Sequence, residues 1–254
     1  GVQLVTKVKS MATEEIRLNA HLAALGIDVV ETDLGEYMAQ LLDERPAHIV
    51  GPVLHKSRQD AVKLFSDLAG EQLPDDPTQL AGIARENLRA DFKAADMGIC
   101  GVNFAAADTG TLVLVTNEGN ADMVTSQPDL LVAVMPVEKV IARLADVGVL
   151  VPLLCDTANK EFLTAYQTFI SGPRGEGEED GPTEVHVVIY DNGRTKLLGM
   201  SRGSVVLPLV VLPHLHTQLH VLGRWTRPNS LLGRFLAELA ASVVVRLVGD
   251  LQPE

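Results

Sequence analysis

Along most of this chain, short apolar runs alternate with longer segments that carry helix signals. That alternation restricts the fold more than any other feature. Two parallel strands need a crossover of about a dozen residues to bring the chain back to the same end of the sheet, and a helix is the usual crossover. Strand-like runs fall at residues 2–8 (VQLVTKV), 27–30, 48–54 (HIVGPVL), 97–102, 111–116, 130–135 and 185–190. Between them, Thr13, Glu14 and Glu15 open a helix reaching residue 25, which Ser10 or Thr13 can cap and Gly26 stops. Residues 34–43 read as a helix before the breaker Pro46, and Ser57 caps another that runs to residue 69. Residues 79–95 form an amphipathic helix with Leu80, Ile83, Ala84, Leu88 and Phe92 on one face. Segments 137–147 and 160–166 read as further helices, and 149–154 as either a strand or a helix start. Residues 72–78 and the acidic segment 176–180 read as loops, and Asp191-Asn192-Gly193 as a turn from which 196–198 pairs back as a hairpin. The pattern predicts an α/β fold, a mostly parallel sheet with helices on both faces.

Ligands in such sheets sit at the carboxyl ends of the strands. Ser10, His55, Asn103 and Asn117 each follow a predicted strand and are expected on that rim. The stretch 96–128 is the richest in candidates. Two apolar runs are joined by a small-residue loop holding Asn103, Asp108, Thr109 and Gly110, and the second run begins at Thr111 and ends in Asn117, Glu118, Gly119 and Asn120. Small residues let backbone N–H groups come close to an anion, though an ordinary hairpin turn has the same composition. Near the N-terminus, Lys7 and Lys9 flank a strand-to-helix turn that carries Ser10 and Thr13. This reads as an anion cradle or as a capped helix with solvated lysines. Glu118 is a candidate nucleophile for acyl exchange and Asp108 a candidate acid–base group. A small carboxylate or phosphate is the expected ligand.

The net charge of −12 argues against a nucleic-acid binder. No apolar run is long enough to span a bilayer. No G-x-G-x-x-G follows a predicted strand, which argues against a nicotinamide site. Cys100 and Cys155 form no metal motif and read as buried small hydrophobes. The chain opens at Gly1 without an initiator methionine or secretory pattern and enters an apolar run almost at once, so a missing N-terminal portion is expected. Composition changes near residue 200: residues 1–200 carry 16 basic and 30 acidic side chains, and residues 201–254 carry 5 and 3 with no lysine. The group His214, His216 and His220 lacks supporting carboxylates or cysteines, and no metal site is expected there.

Several ordered blocks resemble the LUD-domain family, and most closely its lactate-utilisation iron–sulfur subunit. They are VKSMATEEIRLN (8–19), VVETDLGEY (29–37), ERPAHIVGPVLHKSR (44–58), GVNFAAADTGTLVLVTNEGNADMVT (101–125), FISGPR (169–174) and DGPTEVHVVIYDNGR (180–194). The resemblance covers residues 2–199 and implies a Rossmann-like fold related to the sugar-phosphate isomerase and coenzyme A transferase superfamily. It also implies a cytoplasmic, multi-subunit oxidoreductase system that oxidises L-lactate to pyruvate and passes electrons through iron–sulfur clusters. Three departures stand out: a further N-terminal region of the family is absent, Asp108 stands where the family usually has Glu, and the ferredoxin-like region with two cysteine clusters is missing. With no cysteine after Cys155, the chain is expected to carry no [4Fe–4S] cluster, which needs four thiolates. The chain therefore divides into a LUD domain at 1–199, N-terminally incomplete, and a divergent apolar tail at 200–254. The expected function is a component of the lactate system whose LUD domain holds a small anion or a partner subunit. A stand-alone coenzyme A transferase-like or sugar-phosphate-binding enzyme, and a truncated product without activity, are the alternatives.

Overall fold

The computed structural model describes residues 1–47, 51–192 and 218–220. Its main sheet holds five parallel strands: β1 (Leu4–Lys7), β2 (Asp28–Glu31), β3 (Met97–Gly101), β6 (Leu130–Pro136) and β9 (Glu184–Asp191). A short β10 (Gln218–His220) pairs antiparallel with β9. The order is β10-β9-β6-β3-β1-β2. The chain steps from β1 out to β2 and then returns to β3 on the other side of β1. This is the doubly wound arrangement, with its topological switch point between β1 and β3.

Both faces of the sheet are covered, as parallel strands require. Alternation along β6 shows how. Val132 and Val134 join Val5, Ile99, Val188 and Tyr190 in one core, under helices α1 (Met11–Glu15) and α2 (Leu18–Ala24). Leu131, Ala133 and Met135 face the other core with Cys100 and Val124. A third core joins α3 (Leu34–Leu41), α4 (Arg58–Ala69) and α5 (Pro77–Ala94), where Leu80, Ala84 and Leu88 of α5 recur at helical spacing beside Phe65. The α4 helix starts with a capping box between Ser57 and Asp60.

Two strands between β3 and β6 and two between β6 and β9 make a second, four-stranded sheet in the order β7-β4-β5-β8. It consists of β4 (Phe104–Ala106), β5 (Leu112–Thr116), β7 (Val140–Ile141) and β8 (Tyr166–Ile170). One face packs on the main-sheet core through Ala105, Leu112 and Leu114. The other face packs through Val113 on α7 (Val147–Asn159). A short helix α6 (Asn120–Ser126) follows β5. It lies so close to β3 that a Cβ at Gly98 would stand 2.1 Å from the Val124 carbonyl oxygen.

Several segments differ from the sequence reading. The helix expected over 13–25 is broken, with Arg17 left-handed at φ 55°. Ile16 and Leu18 are both buried. Residues two apart lie about 200° around a helix, so one continuous helix would expose one of the two. Residues 137–147 are two short 3₁₀ turns around β7, whose Val140 pairs with Ala105, so tertiary pairing outweighs local helix propensity. Residues 160–166 are not helical. Lys160 ends α7 in the left-handed conformation, and Thr164 bonds back to the Thr116 carbonyl. Residues 51–54 form turns instead of a strand, and 48–50 lie outside the described residues. The runs at 97–102 and 111–116 do not pair with each other: β3 joins the main sheet and β5 pairs with β4. The hairpin beyond Asn192, the tail boundary near residue 200, His214 and His216 also lie outside the described residues.

Candidate functional site

The carboxyl ends of β1 and β2, beside the switch point, carry a cluster of ionisable side chains. Lys9 follows β1 and extends its ammonium to Asp33 Oδ2 at 2.5 Å. Asp33 follows β2 and caps α3, accepting from the Gly35 N–H at 3.2 Å. One turn on, Glu36 is buried and hydrogen-bonded to Asp33. Glu118 lies in the turn after β5, close enough to Asp33, Lys9 and the Leu34 N–H for all three to act on its carboxyl. The residue as a whole is exposed.

Three carboxyl groups around one ammonium cannot all ionise cheaply, and the environment separates them. Burial, then the bond to Asp33 and its charge, push Glu36 up to about 9, so it holds its proton at neutral pH. Burial also acts on Asp33, but the bonds from Glu36 and Lys9 and the Gly35 N–H outweigh it, so Asp33 stays below the ordinary carboxylate range. Burial and the Asp33 charge raise Glu118, opposed by Lys9 and the Leu34 N–H. Burial works against the Lys9 charge, yet Asp33, with help from Glu36 and Glu118, raises it above the usual lysine value. The result is a fixed Lys9–Asp33 ion pair flanked by a carboxylic acid and a carboxyl of raised pKa. That arrangement suits proton donation and acceptance more than nucleophilic attack by Glu118, which needs an ionised carboxylate.

Other candidates fall at varying distances from this cluster. Lys7 is fully buried and pairs with Glu31 at 2.8 Å and Glu14 at 3.6 Å. Asn19 also donates to Glu31, at 2.6 Å. Ser10 abuts Gly101 so tightly that a Cβ there would lie 2.4 Å from Ser10 Oγ. Buried Thr13 donates to the Ser10 carbonyl at 2.8 Å. Asn120 donates to Thr32 at 3.2 Å, tying the start of α6 to the end of β2, and its buried Oδ1 has no partner. Gly119 lies between Glu118 and Asn120. Asn117 accepts from the Ala165 N–H at 3.0 Å and so anchors the chain entering β8. Asn103 accepts from the Val115 N–H at 2.8 Å.

Asp108, Thr109, Gly110 and Thr111 belong to the turn at the other end of the β4–β5 hairpin from Glu118. There Asp108 accepts from the Leu144 N–H at 3.0 Å, Gly110 takes φ +72°, and Thr109, Thr111 and Ser171 form a hydroxyl chain. Lys9 and Glu118 are therefore brought together, while Asp108 sits across the second sheet from them. His55 is in an exposed turn with Glu44 at 2.8 Å. Sequence reasoning missed Asp33 and Glu36. The signal was present as a capping-box spacing, Asp33-x-x-Glu36, directly after a strand.

The two cysteines do not suit an iron–sulfur cluster. Both are buried in different cores, and burial pushes the Cys100 thiol up to about 12. Among the described residues no group of three His, Cys, Asp or Glu could hold a metal ion, and no helix is long and apolar enough to cross a membrane.

The fold and cluster define a doubly wound α/β domain with an acid-rich polar site at its switch point. The chain belongs to the LUD-domain family, whose model matches residues 3–190. It is 50% identical over 196 residues to Lactate utilization protein B of Geobacillus thermodenitrificans and 52% identical over 195 residues to that of Oceanobacillus iheyensis. Each match covers 77% of this chain and 41% of the relative, so the chain spans less than half the length of these curated relatives. A solved DUF162-family protein from Deinococcus radiodurans aligns at 14% identity and TM-score 0.34, over 74% of this chain and 87% of that one.

Proposed function

We propose that this chain is the LUD-domain part of a lactate-utilisation protein, and that its switch-point cluster handles a small carboxylate together with a proton. The observation that carries this reading is the identity of half the residues, over 196 positions, to proteins named Lactate utilization protein B. Oxidation of L-lactate to pyruvate would occur in a cytoplasmic assembly with other lactate-utilisation subunits. Electron transfer through iron–sulfur clusters would lie outside residues 3–190, since the cysteines present do not fit one. Lys9 is the cation placed to meet a carboxylate. Glu36 and Glu118 supply exchangeable protons.

A chimera tests the role. Residues 3–190 replace the matching segment of the Geobacillus thermodenitrificans protein in a strain that depends on it. Growth on L-lactate is the expected result, and a soluble, well-expressed chimera that fails to support growth would overturn the reading. Ligand binding is tested separately by thermal shift with lactate, pyruvate and phosphate. A ligand at ~100 times its dissociation constant adds about 2.7 kcal/mol, and absence of any shift would remove the carboxylate from the proposal.

A further inference from the structure

The edges of the two sheets are treated differently. On β2, an outer strand of the main sheet, the Gln40 side chain bonds both edge groups, donating to the Val29 carbonyl at 2.6 Å and accepting from the Glu31 N–H at 3.0 Å. Exposed Asp28 adds charge to that edge. The β7 edge of the second sheet is only two residues long. The remaining edge of the second sheet is β8, with the sequence YQTFI. It carries no charge and no proline, and among the described residues its one strand partner is β5. Long, uncharged, unblocked edges are what soluble proteins normally avoid.

An apolar trough runs beside this strand. One hollow of about 390 Å³ lies between Val151 and Pro152 of α7 and Phe169 of β8, with Phe162 and Leu163 from the connecting loop. A second hollow of about 360 Å³ continues from Pro152 and Phe162 to Leu153. The side chains here are unusually exposed for their type: Phe162 74%, Leu163 69%, Leu153 59% and Phe169 50%. At ~150–200 Å² for a fully exposed large apolar side chain, they present roughly 400–500 Å² of apolar surface. About 57% of an ordinary interface is apolar, so a partner covering all of this surface would bury ~800 Å² per side, the size of one side of a standard stable interface.

We infer that β8 and the trough beside it form a twofold interface in which a second copy of this chain adds its own β8 antiparallel to the first. An antiparallel pairing of two identical strands is its own complement, as a closed dimer requires. With no charge in YQTFI, no like charges face each other at any register. The net charge of −12 opposes association; at the trough rim Lys160 and Asp156, 4.0 Å apart, offset each other, and Glu161 leaves one negative charge there. Phe162, Phe169 and Leu163 would be the anchors, since large side chains in desolvated pockets carry most interface energy.

Sedimentation velocity on the whole chain tests this at micromolar concentration. The expected result is a dimer whose dissociation constant rises roughly tenfold or more when Phe162→Glu and Phe169→Glu are combined. Both side chains are exposed, so the circular dichroism melt should stay cooperative. Hydrogen exchange at residues 166–170 should slow as concentration rises in the unsubstituted chain and not in the variant. A monomer at these concentrations overturns the inference and leaves the edge to another segment or another protein. A dimer that survives the double substitution with unchanged exchange at β8 also overturns it.

Discussion

Replacing Glu36 with glutamine should flatten the pH dependence of stability between about pH 5 and pH 8. Burial and Asp33 hold the Glu36 carboxyl up at about 9, whereas in the unfolded chain it titrates near ~4.3. Below the unfolded value both states are protonated and there is no difference. As pH rises, the unfolded chain releases its proton first while the folded one keeps it. Folded protein then binds more protons, and stability falls by about 1.4 kcal/mol per pH unit until the folded carboxyl ionises. Three pH units give roughly 4 kcal/mol as an upper bound, and residual solvent screening reduces this to about 2 kcal/mol. Glutamine has the same shape, its amide can still donate to Asp33, and it does not ionise. Urea unfolding at several pH values should show the unsubstituted chain losing about 2 kcal/mol over this range, and Glu36→Gln losing much less. Some slope should remain from Glu118, which burial raises in the same direction. Equal slopes in the two proteins would mean that Glu36 is ionised in the folded state, and the proposed proton inventory of the site would be wrong.

Lys7→Met leaves Glu31 as a buried charge without its cation and should cost roughly 3–5 kcal/mol, read from the urea midpoint. Adding Glu31→Leu should restore most of that loss. Gly98→Ala drives a Cβ into the Val124 backbone carbonyl, which cannot rotate away. A loss of about 1–3 kcal/mol or more is expected in thermal melts, with α6 the first element to lose amide protection. Asp108→Ala removes the acceptor for the Leu144 N–H and should cost about 1 kcal/mol in the same assay, with no change in the pH slope set by Glu36.

The main sheet was legible because its strands are buried on both faces. Runs such as 130–135 are therefore continuously apolar, and their crossover helices carry visible caps such as Ser57 and Asp60. The second sheet was not legible. Its strands are short, and β7 is held by pairing with β4 across some 35 residues, a non-local contact that leaves no local period. The α1–α2 break was hidden for a related reason. A left-handed arginine has no sequence signal, and only the burial of both Ile16 and Leu18 explains it. In the site, Lys9 and Glu118 stood out as charges beside turns, but Asp33 and Glu36 looked like an ordinary helix start. Their place in one cluster with Lys9 and Glu118 appears only once β2 is placed beside β1.

The cations near the switch point set a condition on any carboxylate that binds there. Lys7 is enclosed with Glu31 and Glu14, so it adds to the stability of the strand end and not to ligand affinity. Lys9 already has Asp33 at 2.5 Å. A second carboxylate at Lys9 would place two negative charges on one ammonium, with Glu118 close by as a potential third. At such spacing like charges are not all kept ionised, and the usual resolution is that one of them takes a proton. Glu36 already holds one between itself and Asp33, and Glu118 is the group whose raised pKa lets it take the next. A carboxylate that bound here would therefore be expected to bring a proton with it. That coupling follows from there being one accessible ammonium among the three carboxyl groups of the cluster.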